Sequence, residues 1–179
     1  MRVSREQVAQ NRRKILDAAS RLFRARGFEA VTVAEVMKAA GLTHGGFYGH
    51  FKSKDDLIAQ TLVHVLTQDA PDQLDIGRYA KAYLAPRHRD DLEGGCPVAG
   101  LGAETIRQGP DAKAAMTQGL KLQIERFMAS APGETVADKR RAAIGAWAAM
   151  VGGVVLARMS DDPELSDEVL AATRDWIAA

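Results

Sequence analysis

The sequence predicts an all-α protein of about nine helices, a three-helix helix-turn-helix head followed by a larger helical body. Three observations lead there. Apolar residues recur at three-to-four spacing, alanine is abundant, and no run of alternating β-branched residues suggests a strand. Residues 32–54, TVAEVMKAAGLTHGGFYGHFKSK, read as two short helices joined by a tight turn. The charge is divided: residues 1–54 hold eleven Lys/Arg against four acids, a balance of +7, while residues 55–179 carry −6 beneath a whole-chain total of +1.

The first helix runs from about Arg5 to Arg26, with Val8, Ile15, Ala19, Leu22 and Phe23 as its core stripe and Gly27 as its stop. Two short helices follow, near 33–40 and 44–51. Thr32 suits an N-cap with Glu35 as its capping-box partner, and Gly41 suits a left-handed stop. Leu42 turns back to the core. Thr43 is placed to cap the next helix, on which Phe47 and Phe51 share an inner face. Ser53 caps a fourth helix that opens on Asp55 and Asp56 and continues to about Asp69. Pro71 suits the first turn of a fifth, about 72–85, and Pro86 to Gly95 reads as a charged loop. Pro97 starts a sixth that ends before Gln108-Gly109-Pro110. Asp111 opens a seventh to about Ala131, and Pro132-Gly133 breaks it. An eighth spans about 134–159. Asp162-Pro163-Glu164 opens a ninth, ending at Trp176 and Ile177. The boundary between head (1–53) and body (54–179) has no long linker.

The second helix of the turn motif leaves Tyr48, His50, Lys52 and Lys54 for solvent, beside the basic excess of the head. That is the layout of a DNA reader, whose affinity comes largely from counterion release at phosphates. Thr32 and Thr43 lie at helix N-termini, where hydroxyls and free N–H groups can meet phosphate. His44, Gly45, Gly46, Tyr48, Gly49 and His50 make up the exposed part of the reading helix. Gly46 and Gly49 each cost ~1 kcal/mol of helix propensity, which points to close backbone approach or to shape readout helped by His44. Tyr48 and His50 have an alternative role as a cap over the helix pair.

Residues 12–58, RRKILDAASRLFRARGFEAVTVAEVMKAAGLTHGGFYGHFKSKDDLI, resemble the DNA-binding head of the TetR/AcrR family of bacterial regulators. The resemblance covers about a quarter of the chain and implies an all-helical homodimer. In it three N-terminal helices read an inverted-repeat DNA operator, and a helical C-terminal domain binds a small-molecule effector and dimerises. Repression relieved by an effector is the usual mode, and activation stays open. The last two helices then pair with their twins: Gly145, Ala149, Gly152 and Leu156 on the eighth, Leu165, Val169 and Trp176 on the ninth. Packing of both helices within one chain is the competing account. Pocket candidates follow from helix order: Thr61, His64 and Gln68 on the fourth helix, Tyr79 and Tyr83 on the fifth, and Met116, Trp147 and Met150 on the seventh and eighth. They suit an apolar or aromatic molecule. Glu104 and Arg107 either pair with each other or face a ligand.

Cys96, in Gly94-Gly95-Cys96-Pro97, sits at the start of the sixth helix. A Gly-Cys start there resembles regulators that respond to electrophiles, which would make the effector electrophilic and Cys96 a modified or ligand-touching thiol. The plainer role is a small buried hydrophobe. A single cysteine rules out an intramolecular disulfide and fits a reducing cytoplasm. The N-terminus MRVSREQVAQ is polar and reads as no signal peptide. The longest apolar run, residues 142–157, has sixteen residues and three glycines, short of the ~20 a span needs, so a bundle helix and no membrane partner are expected. Enzyme activity is not expected. Cys96 with His88 can be drawn as nucleophile and base, but no third group orients them. The four histidines show no metal spacing, and THGGFYGHF lacks the P-loop pattern, so neither metal nor cofactor is expected. A DNA-binding protein without an effector is the third reading.

Overall fold

The computed structural model describes residues 4–67 and 71–179. Among them the elements are α1 (Arg5–Arg26), α2 (Val33–Ala39), a 3-10 helix (His44–Gly49), α3 (Lys54–Leu66), α4 (Ile76–Tyr83), α5 (Pro86–Asp90), α6 (Pro97–Thr105), α7 (Pro110–Met128), α8 (Val136–Met159) and α9 (Pro163–Ala178). No strand occurs among the described residues.

Local chemistry accounts for most of these boundaries. Thr32 and Glu35 form the capping box of α2, and Thr135 and Asp138 form that of α8. Ser53 Oγ accepts from Asp56 N at 3.1 Å, and Asp162 caps α9 ahead of Pro163. Gly41 ends α2 at φ +72°.

Three expectations need correction. The reading helix is 3-10 rather than α, because three glycines in six residues leave too little propensity to wind a full α-turn. Thr43 precedes it without a side-chain cap bond. The fifth predicted helix is shorter: Asp75 caps it, accepting from Arg78 N at 2.7 Å. The residues just before are stitched to the end of α7 instead, through Leu74 N to Arg126 O (3.1 Å) and Ile76 N to Ser130 Oγ (2.9 Å). Finally, the expected loop at 86–95 contains α5. Pro86 presets its first turn, and Arg158 from distant α8 donates to the carbonyls of His88 (3.1 Å) and Arg89 (2.9 Å) at its end.

Two apolar cores result. The first joins α1, α2 and the 3-10 helix to α3, and reaches Leu101 of α6 and Ala112, Ala115 and Met116 of α7. Phe23 and Phe28 meet edge to face within it at 5.2 Å. Packing is therefore continuous across residues 53–54. Val8, expected in the core stripe, lies about two turns before Ile15, where this core begins, and is exposed. The second core is aromatic and lies among α4, α7, α8 and α9. Tyr79 contacts Phe127 and Trp147 with ring centroids 5.1 and 6.3 Å away. α3 packs closely on α7: a Cβ at Gly119 would fall 2.7 Å from Leu66 Cβ. Among the described residues, α8 is the one helix long and apolar enough to cross a membrane by length and composition. Its inner face, from Ala143 through Trp147, Met150 and Val154 to Ala157, is a wall of the second core.

Candidate functional site

The candidate DNA-reading surface is built on buried Phe47 and Phe51, whose rings stack 5.7 Å apart. Around them Thr43, His44, Gly45, Gly46, Tyr48, Gly49 and Lys52 are exposed, and His50 and Lys54 are half-buried. Gly46 and Gly49 are three apart on a 3-10 helix and so lie on one side, a strip of bare backbone. Internal packing does not demand these glycines. A Cβ at Gly45 or Gly49 would meet nothing within 4 Å, and one at Gly46 only ordinary contacts. Tyr48 is 75% exposed and touches Phe47 edge-on, so it does not cover the helix pair. Arg12 fixes the far end of the element. Its Nη1 donates to His50 O at 2.8 Å, and its guanidinium lies 4.6 Å from the Phe51 ring centroid. Lys54 Nζ reaches Glu29 O at 3.4 Å.

Thr32 is less free than its position suggests. Its N–H and hydroxyl both donate to Glu35 Oε2 at 2.8 Å, so neither is left for a phosphate. The Glu35 carboxylate, held by these bonds and by Arg26, is pulled down to a pKa of about 2. The structure instead leaves the hydroxyl of Thr43 without a cap bond at the start of the reading element.

A cavity of about 430 Å³ lies in the body between α3, α4, α6, α7 and α8. Tyr83, Cys96 and Trp147 line it, as does Tyr79. Four other expected ligand residues do not. Thr61 is fully buried, Met116 belongs to the first core and Met150 to the second. His64 turns to α1, with Nε2 2.7 Å from Asp17 Oδ1, because α3 presents that face to the head rather than to the body's interior. Gln68 lies outside the described residues. Arg24, Gly119, Gln123 and Arg126 also line the cavity and were not expected there. The last three were available in the sequence as an i, i+4, i+7 stripe on one helix face. Arg24 was hidden among the other basic residues of α1.

Cys96 and His88 are neighbours but not a nucleophile and its base. His88 Nε2 accepts from the backbone N–H of Cys96 at 3.1 Å, and Nδ1 is 2.7 Å from Tyr83 O. These bonds select the neutral Nδ1–H tautomer. Burial lowers the His88 pKa despite the carbonyl bond. Burial raises that of the Cys96 thiol, which the helix N-terminus does not overcome. Burial also raises both neighbouring phenols, Tyr79 to about 12.

α6 connects this cavity to the head. Near its start, Arg24 Nη1 of α1 donates to Gly95 O at 2.8 Å. Toward its end, Glu104 Oε2 accepts from the N–H of Phe28 at 2.7 Å, just past the Gly27 stop of α1. Glu104 is thus bound to the head rather than to Arg107.

On the outside of α8 and α9, Gly145, Leu156, Leu165 and Trp176 are exposed, and Ala149, Gly152 and Val169 are half-buried. Leu156 is 57% and Trp176 67% exposed, with Met159 at 75% beside them. The glycine stripe divides. Gly153 faces inward, where a Cβ would come 3.0 Å from Thr173 Oγ1 of α9, whereas Gly145 and Gly152 face open space.

Comparisons with known proteins agree at two levels. Residues 15–61 match the family model for bacterial regulatory proteins of the tetR family. Over 59 residues the chain is 41% identical to the HTH-type transcriptional regulator AcrR of Shigella flexneri, covering 33% of this chain and 27% of AcrR. Over 62 residues it is 36% identical to the HTH-type transcriptional regulator TtgR of Pseudomonas putida, covering 35% of this chain and 30% of TtgR. The matches thus span less than a third of these curated relatives. Over the whole chain the likeness is one of fold. The crystal structure of Escherichia coli NemR in its reduced form superposes with a TM-score of 0.69 at 22% identity, covering 92% of this chain and 95% of that one. The head, residues 15–61, thus resembles the tetR family of bacterial regulatory proteins in sequence, and over the rest of the chain the likeness is one of fold.

Proposed function

We propose that this chain is a cytoplasmic, dimeric, sequence-specific DNA-binding transcriptional regulator, a repressor released from an inverted-repeat operator by a small apolar or aromatic effector. Residues 1–53 serve as the DNA-binding unit and residues 54–179 as the effector and dimer unit. The observation that carries this reading is the pair of α6 links, Arg24 to Gly95 and Glu104 to Phe28, which tie the cavity wall to both sides of the α1 stop. A molecule that moves the Gly95–Cys96 turn or tilts α6 changes the position of the head. It shifts the balance between DNA-competent and DNA-incompetent states by its difference in affinity for the two.

In the bound state Thr43, Gly45, Gly46 and Gly49 bring backbone against DNA. His44, Tyr48 and His50 supply base and phosphate contacts, and Lys52 and Lys54 neutralise phosphates. Two heads, held by the apolar outer faces of α8 and α9, sit in successive major grooves on one side of the duplex. The thiol of Cys96, buried and held protonated, favours a reversible effector over an electrophile. Intact DNA release in Cys96→Ser would remove the electrophile branch.

Selection of the purified chain against random duplex DNA, followed by sequencing, tests the reading. An enriched inverted repeat with half-sites about one helical turn apart or slightly more is expected. Salt-sensitive binding without any consensus would overturn it.

A further inference from the structure

The cavity wall carries one sign of charge and an excess of unused donors. No Asp or Glu lines it, while Arg24 and Arg126 do. Arg24 is committed, with Nε donating to Ser20 O at 3.1 Å and Nη1 to Gly95 O. Arg126 is half-buried on α7, and none of the ion pairs among the described residues involves it. Two wall residues also carry a polar atom that is sealed from water and has no hydrogen-bond partner, Gln123 Nε2 and Trp147 Nε1, while the Tyr83 hydroxyl is engaged with the Cys96 thiol. The indole N–H can only donate. A buried donor left unmet is destabilising, so two on one cavity wall point to acceptors supplied from outside the chain. The remaining surface is aromatic. Tyr79 and Tyr83 stack at 5.6 Å, and Trp147 meets Tyr83 at 5.4 Å, which offers flat apolar faces to a ring.

We infer that the cavity takes a flat aromatic carboxylate, its ring against Tyr79, Tyr83 and Trp147 and its oxygens turned to Arg126 and the unpaired donors. A carboxylate only accepts, which matches a wall whose free groups donate. A cation would meet two guanidiniums and no counter-charge. An amide would bring N–H groups to a wall already rich in them. The cavity volume, about 430 Å³, suits a one- or two-ring acid rather than a long-chain one. This inference rests on the reading of the cavity as the effector site.

The test is isothermal titration calorimetry of the full chain with 2-naphthoate, 2-naphthamide and 2-naphthylmethylammonium, which differ only in the head group. Binding of the naphthoate about tenfold or more tighter than the amide, with the ammonium weakest, is expected. Arg126→Gln should bring acid and amide within about twofold of each other, and Arg126→Lys should restore part of the preference. Gln123→Leu, read the same way, should weaken the naphthoate more than the amide and stands in if Arg126→Gln fails to fold. Equal or tighter binding of the amide, a preference unchanged in the variants, or no binding of any probe overturns the inference. Operator release is measured separately with the same three probes. Naphthoate that binds selectively but leaves DNA bound would keep the ligand class and remove effector control. A neutral probe that binds as tightly as the acid and releases DNA would do the reverse.

Discussion

Gly27 and Gly41 both hold positive φ, but their surroundings make them unequal. Gly41, at φ +72°, has nothing within 4 Å of where a Cβ would lie, so Gly41→Ala pays only backbone strain of about 1 kcal/mol. Gly27 combines φ +82° with ψ 167°, a region close to glycine-only, and a Cβ there would displace Glu104 from the N–H of Phe28. Gly27→Ala should cost about 2–3 kcal/mol. Urea unfolding of the two variants compares them directly, and an equal loss in both would refute the Glu104 account. Gly45 and Gly49 are the opposite case. Alanine fits at each without a clash, so Gly49→Ala should leave stability unchanged or raise it by up to ~1 kcal/mol. It should weaken operator binding if bare backbone approaches DNA there, and unchanged affinity in a gel-shift titration would exclude that approach. His88 gives the chain a pH dependence of known sign. Its folded pKa is lowered from 6.5, chiefly by burial, so the unfolded chain binds the proton more tightly. The neutral ring's contribution is in place above 6.5 and is lost as the pH falls through the lower folded value. Urea midpoints should drop on going from about pH 7.5 to about 5.5. That drop should shrink in His88→Gln, which can still donate and accept. At this scale the sequence showed residue type and caps. It did not show that Thr32 spends both its donors on Glu35, because which partner a hydroxyl chooses depends on rotamers.

The elements differ in how much of their form is local. α2, α3, α8 and α9 begin where their capping residues say, since a cap bond spans only two or three positions. α5 is a counter-example. Nothing within 86–90 apart from the proline announces a helix, and the Arg158 guanidinium that satisfies its last carbonyls arrives from nearly seventy residues away. The contact of α3 with α7 is equally non-local. Gly119→Ala places a methyl against Leu66 and should cost about 1–3 kcal/mol through overpacking, read as a lower urea midpoint. Because Leu66 and Gly119 also line the cavity, the same variant should lower the affinity of any molecule bound there. A variant that loses neither stability nor affinity would mean that the two helices can part freely.

For the whole molecule, the open question is what covers the outer face of α8 and α9. Leu156, Met159 and Trp176 are mostly exposed and bury little within one chain, and so should tolerate charge in a monomer. Leu156→Glu with Trp176→Glu should convert a dimer to a monomer by light scattering, keep the helical circular dichroism, and lose tight operator binding together with dimerisation. A monomeric wild-type chain would place the dimer interface in doubt. The sequence by itself determined the helical class, the head motif with its Thr32 cap and glycine stop, the basic and acidic division, and the apolar stripes, because each follows from composition, from periodicity or from bonds between near neighbours. Only the tertiary structure decided which of those apolar faces closes on the chain and which stays open. It also decided that His64 turns to Asp17 while Arg24 and Arg126 reach the cavity, and that α6 is bonded to the head at both ends. Those outcomes depend on how helices distant in sequence rotate against one another to fill two cores, and no short-range pattern carries that information.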